Sequence, residues 1–165
     1  MEKILKKDAG FTLIEILVYI GTLSIIVSAL SFFIVWSVHS TNKAKAMREA
    51  LYNTRRSIEI MTHEIREAKI ISSESTATHI YLENTTTTEF YLAASTLYQK
   101  TGSLDPVALT SNNVEVNNLE FKQVATATST PSIQISLTIN YKNPVNLPEY
   151  GASVNTTSTV SLRSY

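Results

Sequence analysis

The hydrophobic pattern of this chain begins with one long apolar run. From Phe11 to Trp36 nearly every residue is apolar or small, and Glu15 is the only charged residue. A cleaved secretory signal has about 7 to 15 apolar residues before its cleavage site, so this run is too long for one. It is long enough to cross a bilayer as a helix, which needs about 20 residues. We predict a transmembrane helix over residues 11–38.

A second helical pattern follows the apolar run. Apolar or small residues recur at alternating steps of four and three, which is typical of an amphipathic helix. These residues are Met47, Leu51, Thr54, Ile58, Met61, Ile65 and Ala68. No proline occurs before Pro106, so nothing obliges a break between the two patterns. We predict one continuous helix over residues 11–71, about 90 Å long at about 1.5 Å per residue, with residues 39–71 as its amphipathic half.

A coiled coil would show the same helical stripe, that is, the same apolar or small residues at steps of four and three. Only about three heptads are present, and the flanking charges lack the opposite-sign pattern of a coiled coil. Packing of residues 47–68 against the chain's own sheet is therefore the favoured interpretation.

After Ser72 the sequence becomes rich in threonine, serine and asparagine. Apolar and polar residues alternate from Ile133 to Tyr141, which is the period-two pattern of a strand with one buried face. The alternation is weaker from Val154 to Leu162, and a turn is predicted over Thr126 to Pro131. Shorter candidate strands are His79 to Glu83, Glu89 to Ala93, Thr96 to Lys100, Val107 to Thr110 and Val114 to Val124.

These six or seven strands are too few for two independent domains. They predict antiparallel β-structure, in one sheet or two, against which the amphipathic helix packs. The expected fold class is α+β, with a long N-terminal helix followed by a β-rich globular head over residues 72–165.

Composition narrows the range of functions. The chain of 165 residues has 14 lysines and arginines and 14 aspartates and glutamates, so its net charge is zero. This balance gives no sign of nucleic-acid binding. The chain has no cysteine, which excludes disulfides, thiol nucleophiles and cysteine-bound metals.

The sequence contains no recognisable catalytic or cofactor-binding pattern. His63 and Glu64 begin like a zinc-protease helix, but Glu67 stands where the second histidine is required. Asp105 beside Pro106 fits a turn residue first, and the alternative is a calcium ligand, although the neighbouring loop lacks the cluster of oxygen donors that a calcium site needs. Nucleophile elbows and phosphate-binding glycine loops do not occur. We therefore expect no enzyme activity, no cofactor and no metal site.

Glu15 needs a functional explanation. A charged side chain at the centre of a membrane helix costs roughly 2.5 to 3.5 kcal/mol, and less toward the interface, so such a residue is a functional candidate. One alternative is a carboxylate that reaches the headgroups and has no further role. The other is a carboxylate that pairs with a cation.

The spacing of Gly10, Phe11 and Glu15, between a lysine-bearing leader (residues 1–10) and a long apolar run, closely resembles the processing site of type IV prepilins and of the pseudopilins of type II secretion and competence systems. The resemblance implies a prepilin peptidase that cuts between Gly10 and Phe11 and methylates the new amino terminus. It also implies that Glu15 pairs with the Phe11 amine of a neighbouring subunit in a filament.

The same resemblance orients the chain. Basic residues flank the apolar run on both sides, so charge alone does not decide the topology. The family's peptidase acts on the cytoplasmic side, which implies a single pass through the cytoplasmic membrane with the β-rich head outside. The implied partners are the peptidase, other pilins or pseudopilins, the inner-membrane assembly platform, and membrane lipid before assembly.

Finer features of the sequence resemble those of minor pilin subunits. The run from Tyr52 to Lys69 looks like the corresponding helix of the J-type minor pseudopilins, which sit at a filament tip, and no proline interrupts the apolar segment near Phe32 as in many major pilins. The lack of cysteine departs from the many Gram-negative pilins that close a loop with a disulfide. The competing interpretation is a single-pass signal-anchor protein with an extracytoplasmic β binding module. Secretion, DNA uptake, adhesion and motility are alternative roles for the implied filament.

Overall fold

The computed structural model describes residues 10–124 and 131–163. It contains one long helix, α1 (Leu13–Glu67), then eight strands and a short 3-10 helix at Pro148–Tyr150. The strands are β1 (Ile70–Ile71), β2 (His79–Glu83), β3 (Thr87–Ala93), β4 (Thr96–Thr101), β5 (Val107–Ala108), β6 (Val114–Val124), β7 (Ser132–Tyr141) and β8 (Ser153–Ser161). A long apolar helix followed by antiparallel sheets is an α+β arrangement, so this part of the prediction is confirmed. The leader residues 1–9 and the turn residues 126–130 lie outside the described residues.

Helix α1 is continuous over 55 residues, as the lack of proline predicts. It ends at Glu67 rather than at residue 71, because Ile70 and Ile71 form strand β1. In β2, Glu83 pairs with Ile70 and Leu82 pairs with Ile71. Isoleucine is β-branched and favours strands, so pairing with the sheet overrides helix continuation there.

Contacts divide the chain into two compact units, Met1–Ser40 and Thr41–Tyr165, and α1 contributes residues to both. In the first unit every described side chain is exposed except those of Glu15 and Ser37, which are half-buried. The buried core therefore belongs to the second unit.

The second unit contains two antiparallel sheets. Strands β1 to β5 follow one another in chain order across a five-stranded sheet, and β6, β7 and β8 form a three-stranded sheet. The hairpin between β3 and β4 turns at Ala94 and Ser95, which both have positive φ angles of 47° and 60°. Two-residue hairpin turns need such angles to match the right-handed twist of the strands.

One hydrophobic cluster joins the two sheets to the end of α1. Met61, Ile65 and Ala68 are buried in it together with the inward residues of the strands. The period-two pattern of β7 correctly predicts its buried residues, and those of the other strands include Ile80, Leu82, Phe90, Leu97, Val114, Val116, Leu119 and Val160. Helix and sheets therefore share one core in this unit.

The first half of the predicted helical stripe is displaced. Met47 is exposed, and Leu51 and Ile58 are only half-buried. The residues buried in addition to Thr54 are small or polar, namely Ala46, Ala50, Asn53 and Ser57. An apolar stripe is thus present only in the last turns of α1, and a small, polar face precedes it.

Strand β6 contains a β-bulge between Val116 and Asn118. Before the bulge the even-numbered Val114 and Val116 are buried, and after it the odd-numbered Leu119 and Phe121 are buried. A bulge adds one residue to a strand, and here the added residue keeps the apolar face directed at the core.

Candidate functional site

The predicted processing site lies just before α1. Gly10 and Phe11 are both exposed, and Phe11 retains 71% of its accessible surface. A Cβ atom added to Gly10 would meet no atom within 4 Å, and its φ is not positive. The chain's own fold therefore does not require glycine at this position. A requirement for glycine would have to come from a protein that binds this segment.

Thr12 caps the helix. Its Oγ1 accepts a hydrogen bond from the backbone N–H of Glu15 at 3.3 Å, and its carbonyl oxygen accepts one from Ile16 at 3.2 Å. A threonine at the N-cap with a glutamate three residues later is the sequence pattern of a capping box. Thr12 was not among the predicted site residues, although the pattern Thr-Leu-Ile-Glu is visible in the sequence.

The Glu15 carboxylate lies in the first turn of α1, where the helix dipole favours a negative charge. Its Oε1 accepts a hydrogen bond from the Tyr19 hydroxyl at 3.3 Å, which is long for an O–H···O bond. The Tyr19 ring also meets the Phe11 ring edge-on, with centroids 6.4 Å apart. Tyr19 thus contacts both predicted residues, Phe11 and Glu15. The sequence pattern that could have identified Tyr19 is its spacing of four residues from Glu15.

The segment of α1 after this site is apolar and exposed. Its most hydrophobic 18-residue window has a mean hydropathy of 2.3, and none of that window is buried in the protein. Among the residues described, α1 is the one helix long and apolar enough to cross a membrane.

Hydroxyl groups in that segment are bonded within the helix. Ser24 Oγ donates to the carbonyl oxygen of Ile20 and Ser28 Oγ to that of Ser24, each at 2.8 Å. Ser31 Oγ donates to the Val27 carbonyl oxygen at 2.9 Å. Hydroxyl groups bonded in this way leave no donor unsatisfied in an apolar solvent.

A partly buried polar cluster of Glu49, Asn53 and Ser111 links the loop before β6 to α1. Asn53 is 2% exposed, and its Oδ1 accepts a hydrogen bond from the Ser111 N–H at 2.8 Å. Its Nδ2 donates to the Glu49 carbonyl oxygen at 2.9 Å, and the Ser111 hydroxyl donates to Glu49 Oε1 at 2.9 Å. Ser111 lies 58 positions from Asn53 and 62 from Glu49 in the sequence, so sequence patterns did not identify the cluster.

Residues 10–124 and 131–163 contain no group of three His, Asp or Glu side chains placed to hold a metal ion. No family model, curated protein or solved structure matches the chain. The resemblance to prepilins therefore stays a prediction, carried by Gly10, Phe11, Glu15 and the apolar run that follows.

Proposed function

We propose that this chain is a structural subunit of a type IV pilus or of a type II secretion or competence pseudopilus, and that it is cut after Gly10 and methylated at Phe11. The observation that carries the proposal is the motif Gly10, Phe11 and Glu15 immediately before a helix that is apolar and exposed. Exposure of both residues at the scissile bond supports access by a prepilin peptidase.

Glu15 has the chemistry for subunit pairing in this proposal. Its carboxylate accepts one long hydrogen bond from Tyr19, so its remaining acceptor positions are available for an amine. A charge-assisted bond from the methylated Phe11 amine of the neighbouring subunit would be shorter and stronger than a neutral one. In lipid, such a bond would offset the cost of an isolated charge and favour one axial register between subunits.

We place the subunit at the filament tip, as a minor pseudopilin of the J type. The support is the resemblance of the helix from Tyr52 to Lys69 and the uninterrupted helix through Phe32. Before assembly the chain would be stored as a single-pass protein of the cytoplasmic membrane, with its β-rich head outside the cytoplasm.

The competing candidate is a signal-anchor protein that keeps its leader and binds partners through the β-rich head. The capping observation favours it, because Thr12, Glu15 and Tyr19 interact within one chain and so give Glu15 a structural role without a partner.

Intact mass separates the two candidates. The protein is purified from the membrane of its native host and analysed without proteolysis. The pilin proposal expects a mass that lacks residues 1–10 and carries one additional methyl group on Phe11. A full-length mass without that methyl group would support the signal anchor and refute the pilin proposal. The same protein expressed without a prepilin peptidase is the control, because it should keep its leader in either case.

A further inference from the structure

Four strands lie at the edges of the two sheets, and β8 is the least protected of them. Strands β1 and β5 are two residues each, which is too short to offer much of a template. The outer edge of β6 is covered within the chain. The Val116 N–H donates to the Ser95 carbonyl oxygen at 2.8 Å, and the Phe121 N–H donates to that of Ala77 at 2.7 Å. Strand β8 has nine residues.

The hydrogen bonds at both ends of β8 show which residues face outward. The Ala152 carbonyl oxygen accepts from Tyr141 at 2.9 Å, and the Leu162 N–H donates to Pro131 at 3.1 Å, so the even-numbered residues bond toward β7. Backbone direction alternates along a strand of an antiparallel ladder. The odd-numbered residues therefore point their N–H and C=O groups away from β7, and they are Ser153, Asn155, Thr157, Thr159 and Ser161. Among the described residues, none donates or accepts a backbone hydrogen bond to these outward groups.

The open edge ends at a defined point. The next odd-numbered residue, Arg163, donates its N–H to the carbonyl oxygen of Arg66 at the end of α1, at 3.2 Å. The available stretch is therefore Ser153 to Ser161.

Strand β8 also lacks the features that usually block edge pairing. Such features are charged side chains, proline and bulges, and β8 has no charged residue, no proline and no register shift against β7. The other long edge strand, β6, has Glu115, Glu120, Lys122 and a bulge. Features that block pairing with another strand are thus present in β6 and absent from β8.

The sequence of β8 is complementary to itself. An antiparallel pair of β8 strands centred on Thr157 would place like or compatible side chains opposite each other, with Ser153 against Ser161, Val154 against Val160, Asn155 against Thr159 and Thr156 against Ser158. Opposed β-branched and hydroxyl side chains stabilise cross-strand pairs, and no like charges meet. A two-fold axis requires this kind of self-complementarity, in which each residue meets its counterpart.

We propose that β8 binds a second copy of this chain by antiparallel β8–β8 pairing about Thr157. The outward residues supply the hydrogen-bonded pairs, and each pair exchanges two backbone bonds. The three-stranded sheet then continues from one copy into the other. This inference rests on the edge of β8 and not on the proposed filament function.

Cysteine crosslinking of the full chain in detergent micelles tests the pairing, because the chain has no cysteine of its own. Residues opposed in a hydrogen-bonded pair have Cα atoms about 5.5 Å apart, within the roughly 4.4–6.8 Å range of disulfides. Thr157→Cys should therefore form a disulfide-linked dimer as its main product under mild oxidation. Thr159→Cys is the matched control, since it lies on the same strand face but about 14 Å from its counterpart at about 3.4 Å per residue.

A mixed reaction checks the register. Chains with Asn155→Cys should crosslink to chains with Thr159→Cys, although neither variant crosslinks to itself. Equal dimer formation by Thr157→Cys and Thr159→Cys, or no dimer with Thr157→Cys, would overturn the proposal.

A proline variant supplies a second measurement. Thr157→Pro removes an outward N–H that β7 does not use, and proline is tolerated at strand edges. We expect the variant to melt as a folded protein but to lose dimerisation, measured by light scattering with the detergent contribution subtracted. Thr157→Val keeps the N–H and the β-branched shape, so it should remain dimeric. A folded Thr157→Pro dimer would contradict β8 pairing.

Discussion

Substitution of Ile65 by alanine tests whether α1 and the two sheets share one core. Ile65 is fully buried and belongs to the cluster that includes Met61 and the inward residues of β7. Truncating a buried isoleucine to alanine costs about 2 to 5 kcal/mol, because transfer free energy is lost and a cavity remains. For a unit of this size we expect Tm to fall on the order of 10 °C.

Ile58 supplies a matched control on the same helix. It has the same chemistry and packs against the same cluster, but it is only half-buried. Less apolar surface is then exposed and less cavity is created, so Ile58→Ala should cost about 1 to 2 kcal/mol. Sequence periodicity alone places both residues in one stripe and predicts equal losses. The structure predicts a larger loss of stability for Ile65→Ala than for Ile58→Ala.

The assay is thermal and urea unfolding of a fragment covering Thr41–Tyr165, which is the second compact unit. Circular dichroism and tyrosine fluorescence should report one coincident transition, so that the free energy of unfolding is defined. An unchanged urea m-value would assign the loss to the native state. If Ile65→Ala melts like the parent fragment, or if Ile58→Ala is equally destabilised, the packing described for the end of α1 is wrong.

Further predictions concern the processing site, the helix start, the partly buried polar cluster and the β3–β4 turn. Gly10→Val should leave the fold intact but block removal of the leader, and a variant of mature size on a gel would contradict the proposed peptidase. Glu15→Leu should be processed and remain in the membrane yet enter filaments poorly. Normal crosslinking to neighbouring subunits would refute its pairing role. Asn53→Ala leaves the Ser111 N–H without its partner and should cost about 1 to 3 kcal/mol. Faster hydrogen exchange at Ser111 should accompany the loss, and unchanged melting would show that the cluster is not stabilising. Ser95→Gly relieves a positive φ of 60° and should stabilise the hairpin by about 1 kcal/mol, measured as a higher urea midpoint.

Local patterns in the sequence predict the elements of this fold well. The strand from Ser132 to Tyr141 follows strict alternation, and the long helix follows from the lack of proline. The end of the helix was misplaced because no glycine or proline marks it. Pairing of β1 with β2 decides that boundary, and this pairing is a tertiary effect.

The buried face of α1 shows where sequence periodicity fails. Met47 and Leu51 are larger and more apolar than Ala46 and Asn53, so a hydrophobicity pattern selects them. The structure instead buries Ala46 and Asn53, and the side-chain oxygen of Asn53 accepts a hydrogen bond from the Ser111 N–H. A contact between residues so far apart in the chain leaves no local pattern.

At the candidate site the sequence pattern predicted Gly10, Phe11 and Glu15 as site residues but not Thr12 and Tyr19, which the structure places in contact with Phe11 or Glu15. Thr12 and Tyr19 could have been found from helix geometry, since one precedes Glu15 by three residues and the other follows it by four. The open edge of β8 could not have been found this way, because it depends on the order of strands in the sheet.

The bulge in β6 has a consequence for how the length of this chain can vary. A single-residue deletion in a regular strand inverts every following side chain, so the apolar residues would face solvent. Loss of Asn117 would instead convert the bulge to a regular strand in which Val114, Val116, Leu119 and Phe121 still share one face. Position 117 is therefore a place where this chain can lose one residue without turning its apolar residues away from the core. An equivalent deletion in β7, which has no bulge against β8, would turn the apolar residues after it toward the opposite face of the sheet.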